Sequence, residues 1–248
     1  MPIDRTLWKS YFRKDRAPNW PCPKCGSGVI VLQEESFRYF EINAPPSKAS
    51  EDWDETWTTY TYSAMFMCNN KVCATYIASC GRGGRSQVDI YEYEDFYIPE
   101  YFFPELVIFP IPKTCPQSVA EAITCSFQLF FANSASSANH IRTCIENILT
   151  DKGVKRFSNK LGKRRPINLH NRIVDYEKTN SEIAKRLLAI KWLGNMGSHS
   201  SELTKDDVLD AYEILDTVLD DLYVGQRKAI NKKVVLINQR RRPLRNRQ

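Results

Sequence analysis

The spacing of apolar positions changes near the middle of the chain, and the change predicts two kinds of structure. Before Cys115, aromatic and β-branched residues alternate with polar residues and turn formers, which is typical of strands. The pattern predicts strands over 28–33, 34–42, 58–67, 72–78 and 88–93, with a glycine-rich turn at 80–85. It also predicts a short amphipathic helix within residues 1–20, and prolines from Pro99 to Pro116 predict an extended connector.

After Cys115 the apolar positions recur every three to four residues, which predicts amphipathic helices. Helices are expected over 118–131, 136–150 and 181–193, with a short piece near 169–176 and a last helix that begins at Thr204. The expected fold class is α+β. A small β domain occupies residues 1–114, a helical bundle of antiparallel neighbours occupies 115–226, and a basic tail occupies 227–248.

Four of the eight cysteines form two close pairs, and the other four are scattered. Cys22 and Cys25 stand in a Cys-Pro-x-Cys-Gly turn, whose glycine is free to adopt a positive φ. Cys68 and Cys73 form a looser second pair. We predict that these four thiolates bind a structural zinc ion in a closed tetrahedral site without a position for catalysis. Cys80 is an alternative to Cys73 as the fourth ligand.

The sequence has the features of a chain that is neither secreted nor embedded in a membrane. The N-terminal residues carry mixed charges and no apolar core segment, so they do not form a secretory signal. No apolar run approaches the ~18 residues of a membrane helix. We therefore expect a cytoplasmic protein with no membrane partner, in which cysteines serve as metal ligands or buried thiols rather than disulfides.

Positive charge is concentrated near the C-terminus. The net charge is +6, but residues 227–248 carry nine Lys or Arg and no acidic residue, so that the rest of the chain has a net charge of −3. A second basic stretch lies at 155–165, between two predicted helices. Both stretches could contact phosphates, and the alternative is that such charge runs are simply solvated. The candidate nucleic-acid-binding residues are Arg164, Arg165, Arg240, Arg241 and Arg242.

A second group of candidate residues lies near the junction of the last two predicted helices. Lys191, Asn195 and His199 are spaced i, i+4, i+8, which places them along one helical stripe. A cation, an amide and an imidazole together could hold a phosphate and move a proton. The alternative is structural: Asn195 and His199 cap the helix over 181–193 and bridge to the next one. The sequence contains no lipase-type serine elbow, zinc-protease motif or phosphate loop.

The chain resembles the domain of unknown function 4145 family. The resemblance rests on Gly194-Asn195-x-x-x-His199, on Leu203-Thr204-x-Asp206-Asp207, and on Arg142-x-x-x-Glu146 upstream. It implies a zinc ribbon followed by a bundle similar to the HEPN superfamily of nucleotide-binding helical bundles. Many members of that superfamily are metal-independent ribonucleases of toxin, restriction and antiphage systems, with an Arg-x(4–6)-His motif at a dimer interface.

The resemblance leaves two functions open. The residues five and six positions before His199 are Gly194 and Leu193, so the arginine of the ribonuclease motif is missing. We therefore favour a non-catalytic module of a bacterial defence or restriction-like system that binds RNA, a nucleotide or a partner protein, and forms a homodimer through the bundle. The alternative is a metal-independent endoribonuclease in which His199 acts with Lys191 and Arg142. The remaining tentative site residues are Asn195 and Glu146, although Arg142 and Glu146 also have the spacing of an ordinary helix pair.

Overall fold

A computed structural model describes residues 3–42, 48–49, 51–160, 163–199 and 203–243, with side chains except at 160, 195–199 and 226–229. The chain divides into two compact units. The first unit comprises Met1–Ile108, Thr124–Ser137 and Leu203–Val208, and the second comprises Phe109–Ile123, Ala138–Glu202 and Leu209–Gln248. An antiparallel sheet precedes a helical region, which confirms the α+β prediction. The domain boundaries at 114 and 226 stay predictions.

The first unit is built on a five-stranded antiparallel sheet. Its strands are β1 (Ile30–Leu32), β2 (Arg38–Glu41), β3 (Thr59–Cys68), β4 (Tyr76–Asp89) and β5 (Glu92–Phe103). The strand order is β1-β3-β4-β5, and β2 also pairs with β3 beyond the end of β1. Along β3, side chains alternate between buried and more exposed positions, as expected for a sheet with one face on the core.

The glycine-rich segment over 80–85 was predicted as a turn, and this prediction is wrong because the segment lies inside β4. A Cβ added at Gly83 would lie 2.6 Å from the carbonyl oxygen of Phe96, and one at Gly81 would overlap the backbone of β5 at Ile98. Glycine therefore permits a close approach of β4 and β5, beside a register shift between Cys80 and Gly81. The strand predicted over 88–93 is also wrong, since Ile90 and Tyr91 form the turn between these strands.

Residues 1–20 form much less helix than expected. The helix α1 covers only Arg5–Lys9, and Phe12 instead makes an isolated bridge with Tyr97 of β5. The Phe12 and Tyr97 amides and carbonyls exchange two hydrogen bonds of 2.8 Å. Phe12 is fully buried, and its ring packs on those of Tyr62 and Phe66 at centroid distances of 5.2 and 5.7 Å. Phe12 is therefore buried as extended chain, whereas Trp8 is buried from α1.

The helices follow the predicted order, but α5 is longer than predicted, and a seventh helix and a β-hairpin were not predicted. They are α2 (Gln117–Phe130), α3 (Ser134–Asp151), α4 (Leu169–Glu177), α5 (Ser181–His199), α6 (Lys205–Leu219) and α7 (Gln226–Arg240). Helix α5 runs six residues beyond its predicted end at Leu193, and α7 replaces most of the predicted tail. A two-stranded hairpin, β6 (Phe157–Lys160) with β7 (Lys163–Pro166), lies between α3 and α4. No helix in the described residues is long and apolar enough to cross a membrane.

The second unit has an aliphatic core, and side-chain hydrogen bonds join its helices nearer the surface. Its fully buried side chains come mainly from α3, α5 and α6, and include Ile141, Ile145, Ile148, Leu187, Leu209 and Leu215. A π-helical turn, Asp220–Val224, follows α6, and the Tyr223 hydroxyl there donates to Asp151 at 2.9 Å. Arg186 donates to Asp221 at 2.5 Å. These contacts hold the end of α6 against the preceding helices of the unit.

Candidate metal centre and basic surfaces

The predicted ligands Cys22, Cys25, Cys68 and Cys73 meet at one point of the first unit. Their four Sγ atoms lie within 4.8 Å of one another. The Cys22–Cys73 and Cys25–Cys68 sulfur distances are 3.8 and 3.7 Å. Four thiolates around zinc at its usual Zn–S distance of about 2.3 Å would be separated by about 3.8 Å. The four cysteines can therefore hold a metal ion, and they match the dimensions of a tetrahedral thiolate site.

Two tight loops place the sulfur atoms. In the first loop the Gly26 N–H donates to the carbonyl oxygen of Cys22 at 2.9 Å, and Gly26 has the predicted positive φ, 64°. In the second loop the N–H groups of Cys73 and Ala74 both donate to the carbonyl oxygen of Asn70 at 2.9 Å. Ala74 adopts φ of 42°, which lets the looser pair close as tightly as the first.

Pairing between β1 and β3 brings the two loops together. Ile30 lies opposite Cys68 in this pair, so the segment after the first loop runs beside the segment before the second. The side-chain oxygen of Asn69 accepts a hydrogen bond from the Val29 N–H at 3.0 Å, and the backbone N–H of Asn69 donates to the Val29 carbonyl at 2.9 Å. The metal ligands are therefore positioned by a sheet contact between segments that are far apart in sequence.

The thiols differ in their readiness to ionise. Hydrogen bonds from the Ser27 hydroxyl and from the Gly28 N–H lower the pKa of Cys25 to about 5. Hydrogen bonding to Thr75 lowers the pKa of Cys73 below its ordinary value. Burial raises the pKa of Cys68 to about 12. Because a metal ion binds thiolates, its binding at this site would displace protons, most of all from the buried Cys68.

The alternative ligand Cys80 is separated from this cluster. It is exposed on β4, where it lies opposite Ser63 of β3 and Tyr101 of β5. Nothing in the described residues places its sulfur with the other four, and the cluster contains Cys73 instead.

Gly28 provides a test of the cluster's tight packing. A Cβ at this position would lie 2.7 Å from the Cys68 sulfur and 2.9 Å from Asn69 Oδ1. We expect Gly28→Ala to weaken metal binding about 10- to 100-fold, because the methyl group displaces a ligand that must stay within tenths of an ångström. The affinity can be measured by competition with a chromogenic chelator.

Gly26→Ala is the matched control, because a Cβ there has no atom within 4 Å and meets only the strain of a positive φ. We expect Gly26→Ala to lower stability by about 1–2 kcal/mol with little change in the apparent metal affinity of the folded protein. Equal weakening by both substitutions would contradict the steric explanation.

Lys191, predicted to contact phosphate, is not free to do so in this structure. It is only 8% exposed, and its Nζ lies 3.5 Å from the ring centroid of Trp192. The aliphatic part of Arg142 lies across Gly194, where a Cβ would be 2.9 Å from Arg142 Cγ and Cδ. The side chains of Asn195 and His199 lie outside the described residues, so their predicted roles stay predictions. Both residues continue α5, so that they do not cap a helix ending at Leu193.

Glu146 has a different ionic neighbour from the one its spacing indicates. Its carboxylate lies 3.9 Å from Nη1 of Arg172, and the side chain of Arg172 is only 2% exposed. Nη2 of Arg172 donates to the Thr150 hydroxyl at 2.8 Å and to the Val154 carbonyl at 3.3 Å. Burial lowers the pKa of Arg172. This buried cation was not predicted, because nothing in the local sequence distinguishes Arg172 from a surface arginine.

The basic residues of 155–165 are presented on the β6–β7 hairpin. Arg164 and Arg165 lie opposite Asn159 and Ser158, and both are exposed. The guanidinium carbon of Arg164 lies 3.8 Å from the ring centroid of Phe157. Stacking on this ring restricts the arginine while leaving its N–H groups at the surface. In the described part of the chain, neither arginine forms an ion pair with a carboxylate.

The other predicted cations lie at the end of α7. Arg240 is the last residue of the helix, Arg241 follows it with φ of 48°, and Arg242 is also exposed. Beside them α7 exposes aliphatic side chains, among them Ile230, at 56%, and Val235, at 51%. The predicted basic tail is therefore a helix with both cationic and apolar surface.

The fold and the cysteine cluster define an α+β protein with a sheet-associated centre that could hold a metal ion, and a helical region with exposed cationic surfaces. Residues 125–240 match the family described as Domain of unknown function (DUF4145), which supports that family for the helical part of the chain. Residues 10–102 match a second family, Domain of unknown function (DUF8608). No curated protein and no solved structure matches the chain. The predicted resemblance to the first family is confirmed.

Proposed function

We propose that the protein is a zinc-stabilised, non-catalytic module that binds nucleic acid, RNA in the first place, through the β6–β7 hairpin. The observation that carries the proposal is the charge around this hairpin. From Lys155 to Arg165 the chain contains six Lys or Arg and no acidic residue. A local excess of cations without neutralising carboxylates is what phosphate backbones select.

The shape of the hairpin supports the same proposal. Side chains at alternate positions of a strand point to opposite sides, so Lys163 and Arg165 share one side and Arg164 occupies the other. Arg164 lies against a half-exposed aromatic ring, that of Phe157, which is 38% exposed. Arginine beside an aromatic face is a common arrangement for contacting phosphate and an unstacked base together, as single-stranded RNA requires. Arg240, Arg241 and Arg242 would add phosphate contacts from α7.

The metal of this proposal is zinc, with a structural role. Four thiolates at tetrahedral spacing favour zinc over harder ions, which prefer oxygen ligands. A site with four protein ligands has no open position for a substrate. The zinc ion would therefore stabilise the first unit, while nucleic acid is bound by the second.

Two observations favour binding over cleavage. The arginine expected five or six residues before His199 is absent. Lys191, the nearest upstream cation on α5, is buried against Trp192 instead of facing solvent. The resemblance to HEPN-like proteins supports a role in a bacterial defence or restriction-like system, and a homodimer formed through the bundle belongs to the same proposal.

The test of nucleic-acid binding is a triple substitution in the hairpin, Lys163→Ala, Arg164→Ala and Arg165→Ala. We expect it to weaken binding of a labelled single-stranded RNA, measured by fluorescence anisotropy over a range of salt concentrations. Each lost phosphate contact reduces the slope of log affinity against log salt by about 0.7, so three contacts reduce it by about 2. All three residues are exposed, so the fold should be unchanged.

The matched control removes the same charge elsewhere, through Lys14→Ala, Lys71→Ala and Lys185→Ala at exposed positions. We expect this variant to keep both the affinity and most of the salt slope. Equal losses in both triple variants would indicate only general attraction by net charge, and would refute the hairpin as the binding surface. The same RNA, recovered after incubation with the zinc-loaded protein in the absence of added metal ions, should be intact. Cleavage that His199→Ala abolishes would instead establish the endoribonuclease alternative.

A further inference from the structure

A tryptophan on α5 of the second unit presents one face of its ring to solvent. Trp192 is 53% exposed, and the Nζ of Lys191 lies 3.5 Å from the centroid of its ring. The ring of His170 on α4 lies 6.1 Å away at an angle of 50°, so the two rings are tilted and not stacked. The indole face opposite Lys191 is therefore the part of the ring that remains open.

The indole is held in this orientation by the lysine. Lys191 is buried, and in the described part of the chain its ammonium group has the Trp192 ring, and no carboxylate, as its partner. A cation over an aromatic face is attracted by the quadrupole of the ring, so Lys191 restrains the indole. A restrained ring loses little conformational entropy when a flat group stacks on its open face. The position therefore suits a planar ligand.

The charges around Trp192 indicate which planar ligand fits. The only acidic residue of α5 is Glu182, ten positions before Trp192, and the acidic residues of α4 begin at Asp175, five positions after its histidine. On α3, the carboxylate of Glu146 faces the buried Arg172. A ligand at the indole therefore meets a cation without a competing carboxylate from α4 or α5. A nucleobase, which carries phosphates beside its planar ring, has this combination of properties.

Trp192 is linked to the β6–β7 hairpin through α4. Strand β7 ends at Pro166, which lies opposite Phe157 of β6. His170, the neighbour of Trp192, follows four residues later in the first turn of α4. Four residues span at most about 14 Å, so the hairpin begins close to the histidine that the indole contacts.

Hydrogen bonds fix the hairpin to this helix. The Ile167 N–H, between β7 and α4, donates to the carbonyl oxygen of Arg156 at 2.9 Å. The buried Arg172 of α4 donates to the carbonyl oxygen of Val154, just before the hairpin, at 3.3 Å. The open face of Trp192 and the cations of the hairpin are therefore held by the same short segment of the second unit.

The two positions share one composition, an aromatic ring with a cation on its face. Arg164 stacks on Phe157 in the hairpin, and Lys191 lies over Trp192 on α5. Single-stranded RNA is bound in this way, by cations for its phosphates and aromatic rings for its unstacked bases, over roughly 4–16 nucleotides for one module. We propose that Trp192 stacks on a base of single-stranded RNA whose phosphates the hairpin binds. This inference rests on the proposed function and adds the class of RNA and the residue that selects it.

The test is Trp192→Leu in the full-length, zinc-loaded protein, with fluorescence anisotropy of a labelled oligouridylate of about 12 nucleotides. We expect the affinity to fall about 10-fold, because one base loses its stacking platform. The slope of log affinity against log salt should stay unchanged, because no phosphate contact is lost. Trp192→Phe, which keeps a ring, should retain most of the affinity. The affinity for the duplex of this strand with oligoadenylate should not change, since paired bases are not available for stacking.

The matched control is Trp57→Leu in the first unit. Trp57 is 54% exposed, nearly the same as Trp192, but Asp54 and Glu55 stand beside it in the sequence and would repel phosphates. We expect this variant to bind the oligouridylate as tightly as the natural protein. Equal losses in both variants would overturn the proposal, since they would show that any exposed indole contributes.

The outcomes separate this proposal from the function on which it rests. If the triple substitution in the hairpin weakens binding and Trp192→Leu does not, the stacking role is refuted and the proposed function stands. If only Trp192→Leu weakens binding, the hairpin is refuted as the phosphate site and the stacking role stands. A natural protein that does not bind the oligouridylate would refute both. Sedimentation velocity should give the same oligomeric state for the natural protein and Trp192→Leu. Loss of a dimer together with the affinity would overturn the proposal, because Trp192 would then belong to the contact between two copies.

Discussion

Substitution of Cys22 and Cys25 by serine is expected to abolish metal binding and to unfold the first unit. The four thiolates hold together two loops that otherwise meet through the short β1–β3 pair and a few hydrogen bonds, such as those between Val29 and Asn69. Metal binding to structural zinc sites contributes about 10–16 kcal/mol in small zinc domains, which equals or exceeds the 5–15 kcal/mol stability of a typical domain. Metal analysis should find about one zinc ion per natural chain and almost none in the variant.

Cys80→Ser is the control for this experiment, because Cys80 is an exposed thiol outside the cluster. It should retain the metal and the tryptophan fluorescence of the natural protein, in which Trp20 is fully buried beside the first loop. The double cysteine variant should show the emission of solvent-exposed tryptophan. A natural protein that is folded without any bound metal would refute the structural role of the site.

Phe12→Ala is expected to cause the largest loss of stability among single substitutions in the core of the first unit. The ring contacts five other aromatic side chains, namely Trp20, Phe37, Tyr62, Phe66 and Tyr97. Truncation of a fully buried phenylalanine costs about 3–5 kcal/mol, since transfer free energy is lost and a cavity remains. Urea unfolding of the zinc-loaded protein should show a midpoint lower by more than about 1 M.

Its neighbour Tyr11 supplies the comparison. Tyr11 is 53% exposed, and its ring meets that of Phe96 edge-on. We expect Tyr11→Ala to cost about 1 kcal/mol or less. If both substitutions lowered the free energy of unfolding by similar amounts, the N-terminal segment would not be packed into the sheet. An exposed amphipathic helix would give that result.

The β6–β7 hairpin belongs to the second unit, and its two arginines form no ion pair with a carboxylate among the described residues. Salt should therefore weaken nucleic-acid binding by the hairpin strongly.

Local signals in the sequence were sufficient for part of the structure. The Cys-Pro-x-Cys-Gly turn specifies its own geometry, because the glycine at 26 supplies the positive φ that the turn requires. The helical period located α2, α3 and α6, and Thr204 caps α6 as predicted, with its hydroxyl 3.3 Å from the Asp207 N–H. Each of these features depends on residues within a few positions of one another.

Tertiary contacts decided the rest. Glycines at 81 and 83 resemble a turn in sequence, and only the close approach of β5 makes them part of a strand. Phe12 has the spacing of a helix face, yet pairing with Tyr97 holds it as extended chain. Lys191 and Arg172 are cations that any surface helix could carry, and packing alone buries them.

The cysteines show the division most directly. Their spacing within each pair determined that both pairs could bind a metal, since the reach of a short loop is a local property. Whether Cys22 would meet Cys73, 51 positions away, depended on the β1–β3 register that places Ile30 opposite Cys68. The sequence by itself thus indicated the two pairs, with Cys80 open as an alternative to Cys73. Only the tertiary structure brought Cys22, Cys25, Cys68 and Cys73 within 4.8 Å, because contacts between distant segments are selected by packing of the whole sheet.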